Sequence, residues 1–381
     1  MLPRDVPALF SNVHCVSISH RRSLSGIRGA ALIAALLLTG CQTAAPPPPQ
    51  NVAPRAPVAT HAFTLTDERQ SVVGELQVTR AHEEDTLPDI ARRFNIGYEE
   101  IVRANPNVDP WLPREGTLIV LPTQFVLPDA PRSGIVINLA ALRLFYYPPH
   151  KPGEPQLVVT HPIGIGQIGW STPMGDAKIV SKKADPSWYP PLSIRKEHAE
   201  DGEKLPAKIG PGPDNPLGRY AFTLNWPSYL IHGTNQPYGV GMRASHGCIR
   251  LYPEDVAQLF DAVPVGMTVT VVNQPQVYGW RGDTLFLQSY PTLDDYATIA
   301  PRRKAEAKLA VKSKTKTNTQ PATSRFDTPT LDRELVAALN KNPNGVAVPV
   351  SLQQMSLDKL VAAAPRVENR LPEHATWDGV E

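Results

Sequence analysis

Three cysteines in 381 residues, Cys15, Cys41 and Cys248, are too few to staple a small fold, which excludes a disulfide-held mini-domain. Charge is scarce too: 19% of residues carry one, 38 basic against 36 acidic, for a formal net charge of +2. That balance removes the bulk electrostatic case for a nucleic-acid binder. Long apolar runs are missing. Residues 30–38 are uncharged and apolar, yet as a helix they rise only ~14 Å, well under the ~30 Å hydrocarbon core, so they read as a signal h-region and not a span. What is abundant is proline, 41 residues, about twice the usual share, which argues against long helices and for strands, turns and linkers. At 41% hydrophobic the chain is not wholly disordered, and its length allows two or three domains.

Arg21, Arg22 and Arg28 precede the apolar run, which ends in Leu38-Thr39-Gly40-Cys41. These residues resemble a bacterial lipobox. The resemblance implies a lipoprotein signal peptide at 1–40, acylation of Cys41, and, with Gln42 following, sorting to the periplasmic face of an outer membrane. An ordinary signal peptide with an incidental cysteine is the alternative. Export changes the cysteine arithmetic, because Cys248 is then the sole free thiol. In an oxidising compartment such a thiol is a hazard unless it is inert or kept for its reactivity.

Residues 41–77 begin as a proline-rich stretch and read as an extended tether. In 78–122, Thr86 can cap a helix whose apolar positions Leu87, Ile90, Ala91 and Phe94 fall at i, i+3, i+4 and i+7. A second short helix over 98–105 and a strand over 116–122 complete a βααβ order. This pattern resembles a LysM domain, which implies binding of N-acetylglucosamine-containing glycan, although Thr79, Ala81 and Glu84 depart from its usual residues. Residues 134–273 are strand-rich, with a hairpin pattern at 135–147, a strand pattern at 267–272 and one good helix starting at Pro253. Residues 274–300 carry one further strand, and 301–381 read as a basic low-complexity linker and tail with short helices near 330–341 and 351–363. The fold class is mainly β: a β-rich domain preceded by a small βααβ module, with a largely disordered C-terminal tail.

The chemistry concentrates in 231–251, where His232, His246 and Cys248 fall close together. An ordinary thiol is mostly protonated at neutral pH, so acyl transfer needs a base nearby. Histidine can take that proton and later return it to a leaving amine. Gly233, Gly239, Gly241 and Gly247 let the loop approach closely and aim backbone N–H groups at a reacting carbonyl. Arg250 lies on the same side as Cys248 if the segment is extended, where it can hold a carboxylate. Other readings compete. Cys248 could fill a core, or join His232 and His246 on zinc, though no paired-ligand spacing supports a metal. A papain-like order would put the cysteine before the histidine, the reverse of what stands here.

His232-Gly233-Thr234 and Ser245-His246-Gly247-Cys248-Ile249-Arg250 resemble the active-site signature of the L,D-transpeptidases (YkuD-type catalytic domain). Pro162–Gly166, Thr172–Gly175 and Gly212–Gly218 carry its accessory marks. The resemblance implies that Cys248 is the nucleophile and His232 the proton acceptor and donor. Gly233 would orient that ring, Ser245 would buttress the loop, His246 and Gly247 would shape the oxyanion pocket, and Arg250 would engage a substrate carboxylate. It implies a thioester formed with the diaminopimelate carbonyl of a peptidoglycan tetrapeptide stem, release of D-alanine, and transfer to an amine. The acceptor would be another stem's diaminopimelate or the C-terminal lysine of a wall-anchored lipoprotein. Neither metal nor organic cofactor is expected, and carbapenems should acylate the thiol. A thiol hydrolase on the same fold and a non-catalytic wall-binding lipoprotein are the alternatives.

Overall fold

Residues 61–293, 331–351 and 355–371 are described by the computed structural model. The expected signal segment, Cys41, the proline-rich stretch through residue 60 and the basic run that starts at Arg302 lie outside the described residues. The main element is a nine-stranded sheet in the order Ala62–Leu65, Gln156–Pro162, Arg143–Tyr147, Gly134–Asn138, Thr268–Val272, Gly175–Ala184, Tyr220–Leu224, Leu230–His232, Ile249–Arg250. Pairing is antiparallel except where Thr268–Val272 meets Gly134–Asn138 and where Leu230–His232 meets Ile249–Arg250.

The central strands are apolar on both faces because both faces are covered. Along Gly134–Asn138, Ile135 and Ile137 enter one core, shared with Leu144, Val269 and Val271. Val136 points the other way, into a second core with Phe145, Tyr147 and Val158. The expected hairpin forms there, with Asn138 opposite Arg143. The Pro253–Ala262 helix lays Val256 and Leu259 on the first core beside Ile231 and Ile249, and so covers the strands that carry the signature residues.

Gln77–Arg80, Leu87–Arg93, Tyr98–Ala104 and Leu118–Leu121 form the βααβ module. Thr86 caps its first helix reciprocally: the Asp89 N–H donates to the Thr86 hydroxyl at 3.3 Å, and the Thr86 N–H donates to the Asp89 carboxylate at 3.0 Å. Leu87, Ile90, Ala91 and Phe94 are buried together with Ile101, Ile119 and Leu121, as the helical spacing requires.

Two expectations need correction. The tether does not extend to residue 77, because Ala62–Leu65 is the edge strand of the main sheet and Val72–Gly74 pairs with Gln124–Val126. Leu65, Val72 and Val73 are buried there, and that apolar area outweighs the proline signal upstream. The tail is also folded within 331–351 and 355–371. Helices at Arg333–Lys341 and Leu357–Ala363 stand near the expected positions. Ala347–Pro349 adds a strand to the Gln276–Arg281 and Thr284–Ser289 hairpin, and Val367 enters the core of the βααβ module. There the Val367 N–H donates to the Val78 carbonyl at 2.9 Å, and the Val78 N–H to that of Pro365 at 3.0 Å. These gains come from contacts far apart in sequence, which local composition does not register.

Candidate active site

His232 ends the strand Leu230–His232, and Ile249–Arg250 runs parallel beside it with Ile231 opposite Ile249 and His232 opposite Arg250. Side chains alternate along a strand. Ile231 and Ile249 therefore go into the core, while His232 and Arg250 share the other face. Cys248 stands just ahead of the Ile249–Arg250 strand, two residues before Arg250, and its Sγ reaches the Ser228 carbonyl just upstream of Leu230–His232. The sheet register thus brings the imidazole and the guanidinium to one side of two adjacent strands, with the thiol at the start of the second.

His232 is buried, and its Nδ1 lies 2.6 Å from the Gly233 carbonyl. A carbonyl only accepts, so in the neutral ring Nδ1 carries the proton. Burial, reinforced by the Arg250 charge, pushes the imidazole down to about 3, against the upward pull of hydrogen bonds to the Gly233 and Leu217 carbonyls. The ring is neutral at physiological pH, the state a general base needs.

Cys248 is half-buried, and its Sγ donates to the Ser228 carbonyl at 3.6 Å. Burial raises the thiol above its ordinary value, opposed by a backbone hydrogen bond from Leu230 and by the Arg250 charge. The resting pair is therefore thiol and neutral imidazole, not a preformed ion pair. Arg250 lowers the pKa of His232, His246 and Cys248 alike, so it is the cation that the whole cluster feels. Its Nη1 donates to the Ala244 carbonyl at 3.3 Å, and its buried Nε has no hydrogen-bond partner among the described residues.

Ser245 donates to the carbonyl of Cys248 at 2.6 Å and accepts from the Gly247 N–H at 3.2 Å, closing the turn that carries the thiol. Gly247 sits at φ +101, where an added Cβ would come within 2.9 Å of Tyr229, so both the backbone angle and the space demand glycine. The ring of His246 turns toward the helix Leu192–Glu200: Nε2 lies 3.3 Å from Glu197 Oε2, and Trp170 packs edge-on at 5.0 Å. His246 thus ties the thiol loop to a neighbouring helix, while the backbone at Gly247 and Cys248 is what borders the sulfur.

Sequence reasoning named no role for three supports. Thr172 donates to the Gly247 carbonyl at 2.9 Å and accepts from the Gly166 N–H at 3.2 Å. Buried Asn215 donates to the Pro186 and Gly210 carbonyls at 2.6 and 2.9 Å and takes the Leu217 N–H at 2.9 Å, which fixes the loop beside His232. Both lie in the accessory marks, which were the available signal. Glu197, on a largely exposed helix, had none.

Burial also holds His61, whose Nε2 meets the Phe94 carbonyl at 2.7 Å, down at about 3. Both histidines, His61 and His232, are then neutral in the folded chain and protonated below about 6.5 when unfolded. Stability is full above that value and falls as the pH drops toward 3, because unfolding takes up protons in that window. Urea titrations between about pH 7 and pH 4 should show a falling midpoint, and His61→Gln should flatten the fall. A midpoint independent of pH would contradict the burial assignment.

Residues 132–272 match the family model of the L,D-transpeptidase catalytic domain, and residues 82–122 that of the LysM domain. The chain is 42% identical over 229 residues to the probable L,D-transpeptidase YcfS of Escherichia coli, covering 59% of this chain and 70% of that protein. It is 41% identical over 224 residues to the probable L,D-transpeptidase ErfK/SrfK of the same organism, covering 58% and 71%. Among solved structures, L,D-transpeptidase 3 of Mycobacterium tuberculosis aligns over 41% of this chain and 67% of that one, at 19% identity and a TM-score of 0.27. With that share of its relatives spanned at that identity, the chain belongs to the L,D-transpeptidase family and carries a LysM domain ahead of the catalytic one.

Proposed function

We propose that this enzyme acts on peptidoglycan through a thioester at Cys248. The observation that supports the reading is the parallel pairing of Leu230–His232 with Ile249–Arg250, which sets His232 opposite Arg250 with Cys248 two residues before it. His232 Nε2 takes the proton from Sγ as the sulfur attacks the carbonyl joining diaminopimelate to the terminal D-alanine of a tetrapeptide stem. The tetrahedral oxyanion is met by the Cys248 N–H, in a turn shaped by Gly247 and held by Ser245. The C–N bond breaks, His232 returns the proton to the leaving D-alanine, and a thioester remains. An acceptor amine then attacks, loses its proton to His232, and the thiol leaves. Arg250 engages a carboxylate of donor or acceptor and favours the developing thiolate.

The acceptor in this reading is either the diaminopimelate of a second stem or the terminal lysine of a wall-anchored lipoprotein. The LysM domain contributes glycan affinity. Trp111, 63% exposed, and Leu112 stand on the loop after its second helix, with the Trp111 ring 6.2 Å from that of Tyr98, a surface suited to stacking on sugar. Acylated Cys41 would hold the enzyme on the periplasmic face of the outer membrane, a tether's length from the wall.

Tetrapeptide muropeptides incubated with the purified protein, with and without an added acceptor, test the reading by mass spectrometry. Cross-linked dimers with loss of D-alanine are the expected products. Tripeptide alone, even with acceptor present, would make the enzyme a hydrolase; unchanged substrate would overturn the reading.

A further inference from the structure

The LysM domain does not hang beside the catalytic domain. Its segment from Arg92 to Glu99, the end of the first helix and the start of the second, touches the chain on both sides of the nucleophile. Upstream of Cys248, the N–H groups of Tyr98 and Glu99 donate to the carbonyls of Val240 and Gly241, each at 3.2 Å. The backbones are in close contact there. A Cβ on Gly97 would lie 2.7 Å from the Gly241 Cα, and Gly241 itself sits at φ +81. Downstream, Arg92 forms a two-pronged pair with Glu254 at 2.9 and 3.0 Å, Asn95 donates to Asp255, and the Tyr252 hydroxyl donates to the Ile96 carbonyl at 3.1 Å.

Between these anchors the chain has little slack. Met242 accepts from the Ile165 N–H at 3.0 Å, Arg243–Ser245 pairs with Ile165–Gly166, and Ser245 then holds the carbonyl of Cys248. On the other side only Ile249, Arg250 and Leu251 separate the thiol from Tyr252. We propose that the LysM domain is a positioning part of the active site: Arg92, Ile96 and Gly97 clamp residues 240–241 and 252–254 and so fix where Cys248 and Arg250 stand relative to His232. Part of this module's role is thereby mechanical and independent of glycan. A misplacement of about 1 Å between reacting groups can cost about a hundredfold in rate, so a clamp of this kind matters to chemistry as well as to folding.

The proposal rests on the thioester reading in one arm of its test and not in the other. Two full-length variants open the seam from different atoms: Gly97→Val by crowding Gly241, and Arg92→Gln combined with Tyr252→Phe by deleting side-chain anchors. In protein shown by circular dichroism and thermal melting to be folded at the assay temperature, the first readout is carbapenem acylation of Cys248, followed by intact mass. A carbapenem bears no glycan, so lost sugar affinity cannot explain a change. Acylation slowed by about tenfold or more is expected; the parental rate in a folded variant would overturn the proposal. If Gly97→Val does not fold, the double variant decides alone. If a carbapenem fails to acylate even the parent, the thioester reading is what fails, and iodoacetamide alkylation of Cys248 against pH then decides. Burial raises this thiol, so a loosened seam should move the inflection down toward that of an ordinary thiol. An unmoved inflection would overturn the proposal.

Discussion

Cys248→Ala should abolish both turnover of stem peptides and the carbapenem adduct, leaving the fold in place. The side chain is small and half-buried, and its Sγ bonds weakly to the Ser228 carbonyl. Removing it leaves a cavity no larger than one sulfur, and the expected stability loss is about 1 kcal/mol. The catalytic loss is of another order. Without the sulfur no covalent intermediate forms, and the oxyanion donors and Arg250 can act only on direct attack by the amine, so a fall of about ten-thousandfold or more follows. Intact mass after carbapenem exposure and product analysis with muropeptides check the two halves together. An adduct or cross-linked product that persisted in this variant would move the nucleophile elsewhere. Cys248→Ser is the sharper control: it keeps the shape, but a hydroxyl is far harder to deprotonate with an imidazole this weakly basic.

The candidate site was legible because its proposed reacting side chains sit in one stretch of sequence. His232 and Cys248 flank a glycine-punctuated loop whose ends become neighbouring parallel strands, so a contiguous motif becomes a three-dimensional cluster. Locally determined pieces could be read for a similar reason: the Thr86 cap, the Leu87–Phe94 spacing and the 135–147 hairpin each depend on residues a few positions apart. The rest depends on backbone atoms and long separations. The Leu217 carbonyl beside His232 has no side-chain signature. Val367 finds Val78 across most of the chain. The helix Leu192–Glu200 buries only Ile194 and so lacks the apolar stripe that marks a helix in sequence. The Gly97–Gly241 seam is invisible for a related reason, because two glycines announce permission for close approach but not the partner.

His232→Ala should slow carbapenem acylation by about 100- to 10,000-fold, the range general-base assistance supplies, and should change the shape of the pH profile. In the parent the imidazole stays neutral down to about 3, held there by burial and the Arg250 charge, while the thiol stays protonated well into the alkaline range. Neither group changes state between those limits, so acylation should run nearly level from about pH 4 to pH 8, with no loss near the ordinary histidine value of about 6.5. In the variant only hydroxide can generate thiolate, and the rate should climb about tenfold per pH unit until the thiol itself ionises. His232→Gln separates lost basicity from lost packing, since its amide can still donate to the Gly233 carbonyl but has no comparable lone pair for the proton. A near-parental rate in both variants would remove His232 as the base. A parental profile that collapses around 6.5 would instead mean that the ring meets solvent during the reaction, through an opening of the Leu217 and Gly233 carbonyl cradle that now holds it.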